Sequence, residues 1–266
     1  MDAGRRAALA ALVVAGLAPH AGAAAAPRRT GRPGGPVPGP APSGREQAGP
    51  RPPDVLLGSE IRRLPTARRV VALTFNAAWD ESGTDTVLGE LRRRKLPATF
   101  FPTGAFADAR PAAVRAMAAA HGLGNHSYSH PYFDDLSTPE RAQEVRRADE
   151  AIRKASGAEP LPFFRFPYSA TSAASVADVN ALGFAAIEFT ADTNGYLGPA
   201  RGMTVDRAVQ RAVDALVPGA IIQMHVGSTG DGVVLDAEAL PRIIDAAEAD
   251  GYEIIDLREF LTAGPA

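Results

Sequence analysis

No cysteine occurs among the 266 residues. This excludes disulfides, thiolate nucleophiles, iron–sulfur clusters, cysteine-type zinc sites and a cysteine-linked lipid anchor. An excess of either charge is lacking too. The 28 basic and 30 acidic side chains leave a net charge of −2, so there is no basic footprint for nucleic acid, which is not an expected partner. Large apolar residues are almost missing from residues 27–53, "PRRTGRPGGPVPGPAPSGREQAGPRPP". Such a stretch cannot bury enough surface to order itself and is expected to be a semi-extended linker. Internal repeats and glycine-rich phosphate loops are absent as well.

Residues 1–26 read as a secretory signal peptide. Arg5 and Arg6 supply a positive start, and "AALAALVVAGLA" (7–18) is too short to span a bilayer comfortably. Ala21-Gly22-Ala23 offers a small-residue cleavage site. An uncleaved N-terminal anchor is the alternative, disfavoured by the short apolar stretch. The expectation is a chain that is secreted or associated with the cell envelope, with no membrane span once mature. Residues 54–266 remain, about 210 residues and enough for one domain with a substantial core. The oligomeric state is not legible.

Within that domain, short β-branched or aromatic runs alternate with longer amphipathic ones. Strands are expected at 70–75, 98–104, 122–128, 163–168, 185–191, 220–226 and 253–257. Helices are expected at 84–95, 111–120, 138–156, 173–182, 204–216 and 237–250. The third helix opens on Ser137, Pro139 and Glu140, a capping box, and Gly157 stops it. The alternation predicts an α/β fold with a mainly parallel sheet. An open doubly wound sheet and a closed barrel both fit that count. Asn76, His126, Arg165, Asp192 and His225 each fall at or just past the C-terminal end of a different expected strand. Functional residues drawn from several strand ends favour a barrel, irregular and seven-stranded.

The candidate chemistry starts with "GNHSYSHP", where His126 and His130 are spaced H-x3-H. Gly124, Asn125 and Pro131 argue against a regular helix, but a strand end running into a turn can converge both rings on one ion. Two ordinary loop histidines are the competing interpretation. "FFRFPYS" sets Arg165 in an aromatic strand, where a buried charge needs a partner unless the side chain snorkels out. His225 ends the apolar strand "AIIQMHV", as either a core histidine or a general acid. Asp192 in "FTADTNGY" either orients a histidine or caps a turn.

In this order the segments "LTFNAAW", "GNHSYSH", "RFPYSA", "DTNGY" and "MHVG" resemble the five motifs of the polysaccharide deacetylases, the NodB-homology or carbohydrate esterase family 4 proteins, across residues 66–262. The resemblance implies an irregular (β/α)7 barrel of the polysaccharide deacetylase type. It also implies a divalent metal, zinc or alternatively cobalt or manganese, that activates water against an N-acetylated sugar. His126 and His130 match the two metal-binding histidines, Arg165 the arginine that holds the catalytic base, and His225 the proton donor. Tyr168 matches a groove residue that contacts substrate. Asp192 aligns with an aspartate of the fourth motif, followed by the aromatic Tyr196, a further substrate-binding candidate. Gly195 stands where a second aspartate often supports the acid histidine.

The first motif departs from the family. Asn76 and Ala77 replace the acid pair of T-F-D-D-G; an amide has no useful basicity, and alanine cannot bind metal. Asp80 and Glu81, a few residues further on, are the candidates for a moved carboxylate, Asp80 as base and Glu81 as metal ligand. The alternative is a solvated acidic loop before the first helix, with Ser82 or Thr84 capping. Trp79, the single tryptophan, is either a sugar platform or a plug in the barrel mouth.

The leading expectation is a secreted metal-dependent hydrolase removing N-acetyl groups from amino-sugar polysaccharide, with cell-wall peptidoglycan as the candidate substrate. A glycan-binding pseudoenzyme and a deacylase acting on a non-sugar C–N bond are the alternatives.

Overall fold

The computed structural model describes residues 51–228 and 232–262. The expected signal peptide and residues 27–50 of the expected linker lie outside the described residues. The first strand, β1 (Val70–Ala77), is buried at every position and anchors the architecture. It is followed by α1 (Thr84–Arg94), β2 (Thr99–Pro102), α2 (Gly104–Ala109), α3 (Pro111–Ala118) and β3 (Gly122–Leu123). Next come α4 (Thr138–Ser156), β4 (Phe163–Phe164), α5 (Ala173–Ala181), β5 (Ala185–Ala186), β6 (Ala191–Asp192) and α6 (Val205–Val213). The chain continues with β7 (Ala220–His225), α7 (Leu235–Ala249), β8 (Glu253–Ile255) and α8 (Glu259–Thr262). Among the described residues, no helix is long and apolar enough to cross a membrane.

All paired strands run parallel, in the order β3-β2-β1-β7-β6, with β8 also on β1 and a separate β4-β5 pair. Isolated bridges carry the circuit onward: Asn125 to Phe164, Ile61 to Ile187, and Arg63 to Ala220. Together they make the irregular α/β barrel expected from the sequence.

Side-chain parity divides the strands into two faces. Val71, Leu73 and Phe75 of β1 join Ile222 and Met224 of β7 in the large cluster that includes helix residues such as Leu91, Ile152 and Leu240. Val70 and Ala72 join Phe101, Phe163, Ile187, Ile221 and Ile255 in a second cluster. Successive side chains point to opposite faces, so this second set fills the barrel while the first packs under the helices. Burying each large apolar side chain contributes about 1.5–3 kcal/mol.

The capping box of α4 forms as expected, and Gly157 ends the helix at φ 70°. Several boundaries differ from the sequence expectation; of the run 163–168, for example, only Phe163–Phe164 is strand. The run 98–104 gives up its end to α2, because Thr103 Oγ1 accepts from Phe106 N at 3.1 Å and starts a helix. The run 122–128 stops early at Leu123, and Ser127 and His130 take left-handed backbone at φ 64° and 62°. The run 185–191 splits into β5 and β6. Between them Thr190 Oγ1 donates to Arg62 O at 2.7 Å and accepts from Ile221 N at 3.0 Å, turning the chain from one neighbour to the next.

Candidate active site

The barrel-facing parity of β1 ends in Thr74 and Asn76, and that of β7 ends in Gln223 and His225. The β1–β7 register pairs Asn76 with His225. Two polar side chains thus finish each of these rows at the C-terminal mouth of the barrel, the end where such folds place chemistry. A cavity of about 150 Å³ opens there; its lining includes Asn76, His126, His130, Asp192, Gln223 and His225.

Arg165 follows β4 in the inward parity and is fully buried. It does not snorkel. Its guanidinium donates to Asn76 Oδ1 (3.1 Å), Ile187 O (3.1 Å) and Glu188 O (3.3 Å), over the ring of Phe101. Burial lowers its pKa to about 10, with Glu188 and Asp192 pulling the other way, so it stays charged at neutral pH. Asn76 passes the contact on: its Nδ2 donates to Gln223 Oε1 at 3.2 Å, and Gln223 Nε2 donates to Asp192 Oδ2 at 2.8 Å. A guanidinium and a carboxylate are therefore joined through two neutral amides.

His126 Nδ1 lies 2.9 Å from Arg165 O, which leaves Nε2 free to face His130 Nε2 at 3.2 Å. Burial keeps both rings neutral: it holds His126 well below its ordinary pKa, with the neighbouring His130 adding to the effect, and takes His130 to about 4. The left-handed turn at Ser127 and His130 makes this convergence possible, and Ser127 Oγ accepts from His130 N at 3.0 Å. Two imidazoles on one tetrahedral ion, each at about 2.0–2.1 Å, would sit roughly this far apart.

A third ligand is not in place. Asp80 Oδ1 accepts from Ser82 N and Oγ (2.9 and 2.5 Å), and its Oδ2 from Ser228 N and Oγ (2.9 and 3.2 Å). Burial opposes ionisation of Asp80, but these bonds prevail and hold its pKa below the ordinary value. Gly227 permits this loop-to-loop clasp, since a Cβ there would lie 2.6 Å from Asp80 O. Glu81 is half exposed and pairs with Arg110 at 3.2 Å. Neither carboxylate lines the cavity. Neither Ser82 nor Thr84 caps α1, whose N-cap is Gly83 without a side-chain bond. The Ala77 methyl packs in the helix-side core. Among the described residues no three His, Asp or Glu side chains are grouped to hold one ion. The donor set is incomplete for a three-ligand catalytic metal site.

Of the two things weighed for it, Asp192 does the second. Its Oδ1 accepts from Asn194 N at 2.8 Å, bracing the turn, and lies 3.9 Å from His225 Nδ1. The ring of Tyr196 covers His225, with centroids 4.3 Å apart.

Aromatic residues form the rim. Trp79 is 51% exposed with its edge toward His130, and Tyr168, 52% exposed, packs on His130 at 4.6 Å. Tyr132 stacks on Tyr168 at 4.1 Å. Tyr168 and Ser169 hold left-handed backbone, φ 60° and 51°. Buried Glu188 braces this turn by accepting from Phe166 N (2.9 Å) and Ser169 Oγ (2.7 Å).

Sequence reasoning missed Gln223, Glu188, Tyr132 and Asp236. Gln223 had a legible signal, since it lies two residues before His225 on the same strand face. A lone glutamate in "AAIEF" marked Glu188 more faintly. Nothing local distinguished Asp236, which is fully buried on α7; its Oδ2 accepts from His225 N at 2.9 Å and stands 3.7 Å from His225 Nδ1. A carboxylate from another element thus stands near His225, although position 195 is glycine.

Residues 63–187 match the polysaccharide deacetylase family model. A chitooligosaccharide deacetylase of Bradyrhizobium sp. (strain ANU 289) is 32% identical over 196 residues, 70% of this chain and 88% of that protein. A peptidoglycan-N-acetylglucosamine deacetylase of Bacillus cereus is 26% identical over 194 residues, 73% of this chain and 68% of that one. Among solved structures, a CE4 family pseudoenzyme from Bacillus anthracis superposes with a TM-score of 0.68 at 26% identity, covering 77% of this chain and 69% of the other. A mutant of that pseudoenzyme has restored enzymatic activity. With the barrel, the histidine pair and these relatives together, the chain belongs to the polysaccharide deacetylase family.

Proposed function

We propose that this chain binds N-acetylated amino-sugar glycan, with cell-wall peptidoglycan as the candidate, and that its hydrolytic step is impaired. One observation carries the reading: Asn76 stands where the catalytic base is expected, and both its polar ends are occupied, by Arg165 and by Gln223. Asp80 and Glu81 are engaged elsewhere, and Asp192, which does line the cavity, is committed to Asn194 and Gln223. The exposed rings of Trp79, Tyr132 and Tyr168 support glycan binding, because a sugar's apolar face packs on an aromatic surface. The leader-like residues 1–26 and the proline-rich residues 27–53 support export and tethering near the envelope.

A second reading is metal-dependent release of acetyl groups. It is favoured by His126 and His130, two neutral imidazoles whose Nε2 atoms face each other at 3.2 Å. Two such ligands alone would hold a divalent ion weakly, since catalytic zinc commonly has three protein ligands.

The deciding experiment measures acetate release and binding by the full chain on N-acetylglucosamine oligomers and peptidoglycan fragments, with zinc, cobalt or manganese. The expected result is binding without metal-dependent acetate release, weakened about tenfold by Trp79→Ala or Tyr168→Ala. Metal-dependent release that His126→Ala abolishes establishes the second reading instead. Neither binding nor release rejects both.

A further inference from the structure

We infer that Asp236, from helix α7, is the carboxylate that positions His225 in this pocket. His225 Nδ1 is buried and has no hydrogen-bond partner of its own. The nearest carboxylates are those of Asp236, at 3.7 Å, and Asp192, at 3.9 Å. Asp192 is partly exposed, with its oxygens committed to Asn194 N and Gln223 Nε2, both at 2.8 Å. Asp236 is fully buried, and its two bonds lock it against the strand that carries His225: Oδ2 accepts from His225 N at 2.9 Å and Oδ1 from Thr193 Oγ1 at 2.5 Å.

Gly195 explains how the carboxylate gains its place. A Cβ at 195 would lie 2.2 Å from Asp236 Oδ1 and 2.8 Å from Asp236 N. The volume that a side chain at 195 would need is the volume the Asp236 carboxylate fills. Glycine at 195 and buried aspartate at 236 are two parts of one packing solution.

A carboxylate beside Nδ1 selects the tautomer with the proton on that nitrogen and fixes the plane of the ring. The other nitrogen, Nε2, is then left for the cavity, whether it hydrogen-bonds a glycan or moves a proton. The other titratable groups around His225 are Asp192, Tyr196, His126 and His130.

The inference rests on this cavity being the functional site. Its test needs neither glycan nor turnover, so its failure and that of the glycan reading are separate results. Full-length protein labelled with ¹⁵N-histidine is examined by long-range ¹H–¹⁵N NMR, which reports which nitrogen of neutral His225 carries the proton. Wild type and Asp192→Asn are expected to show Nδ1–H, and Asp236→Ala to lose it. Asp236→Asn, whose amide oxygen can still accept from His225 N and face Nδ1, is expected to keep it. Thr193 Oγ1 keeps Gln223 O at 3.2 Å in each variant. Asp236→Leu, which fills the volume without an acceptor, is expected to lose Nδ1–H and serves if Asp236→Ala does not fold. Loss in Asp192→Asn but not in Asp236→Ala, or no loss in either, overturns the inference.

Discussion

Asn76 is joined to Arg165 on one side and to Gln223 on the other, and through Gln223 to Asp192. Each bond runs from donor to acceptor in one direction, which suits a buried positive charge at one end and a carboxylate at the other. An aspartate at 76 would pair directly with Arg165 and turn a neutral contact into a charge-assisted one. It would also return a proton acceptor to the cavity. Asn76→Asp is therefore expected to bring zinc-dependent acetate release from an N-acetylglucosamine oligomer to roughly 10²-fold above the background of the unaltered chain, the low end of a general-base contribution. An unchanged rate would assign the deficit to the missing metal ligand. The burial of Arg165 was legible as one of two possibilities from a single arginine among aromatic residues. Strand parity decided it, because residues 163 and 165 share the inward face.

At the scale of elements, β1 and β7 place the site. Each carries an apolar row toward the helices and a second row toward the barrel interior, and each inward row turns polar only at its C-terminal end. Helix α2 shows how a short element escapes sequence periodicity: six residues hold too few apolar repeats to register. Its cap is what makes it a helix. Thr103→Ala should cost about 1 kcal/mol, measured as a lower urea midpoint with unchanged slope. The α4 capping box was legible because its four residues are local; the place of Asp236 near His225 was not, because it depends on how α7 packs against Gly195 in another loop.

For the molecule as a whole, one buried carboxylate sets a pH dependence. Burial raises the pKa of Glu188, opposed by its bond from Ser169 and by the charge of Arg165. The native state thus holds a proton that the unfolded chain releases above the ordinary glutamate range. The contribution is fully present below the unfolded value of 4.5 and is lost as pH rises through the higher folded value. Glu188→Gln, which keeps the group neutral, is expected to flatten this dependence. The difference in Tm between variant and wild type should grow more favourable to the variant from pH 5 to pH 8. A constant difference would mean that the carboxyl titrates alike in both states.

Local pattern alone determined the alternation of strands and helices, the parallel α/β class, and the set of polar residues at strand ends, because periodicity and capping act over a few residues. It also singled out the His126–His130 pair, while the altered first motif showed only through the resemblance to the polysaccharide deacetylases. Only the tertiary structure decided that Asp80 is clasped to Ser228, that Glu81 faces Arg110, and that Asp236 fills the space beside Gly195. Those outcomes depend on which side chains from distant elements compete for one small volume and for one set of hydrogen-bond partners, and that competition exists only once the barrel has closed.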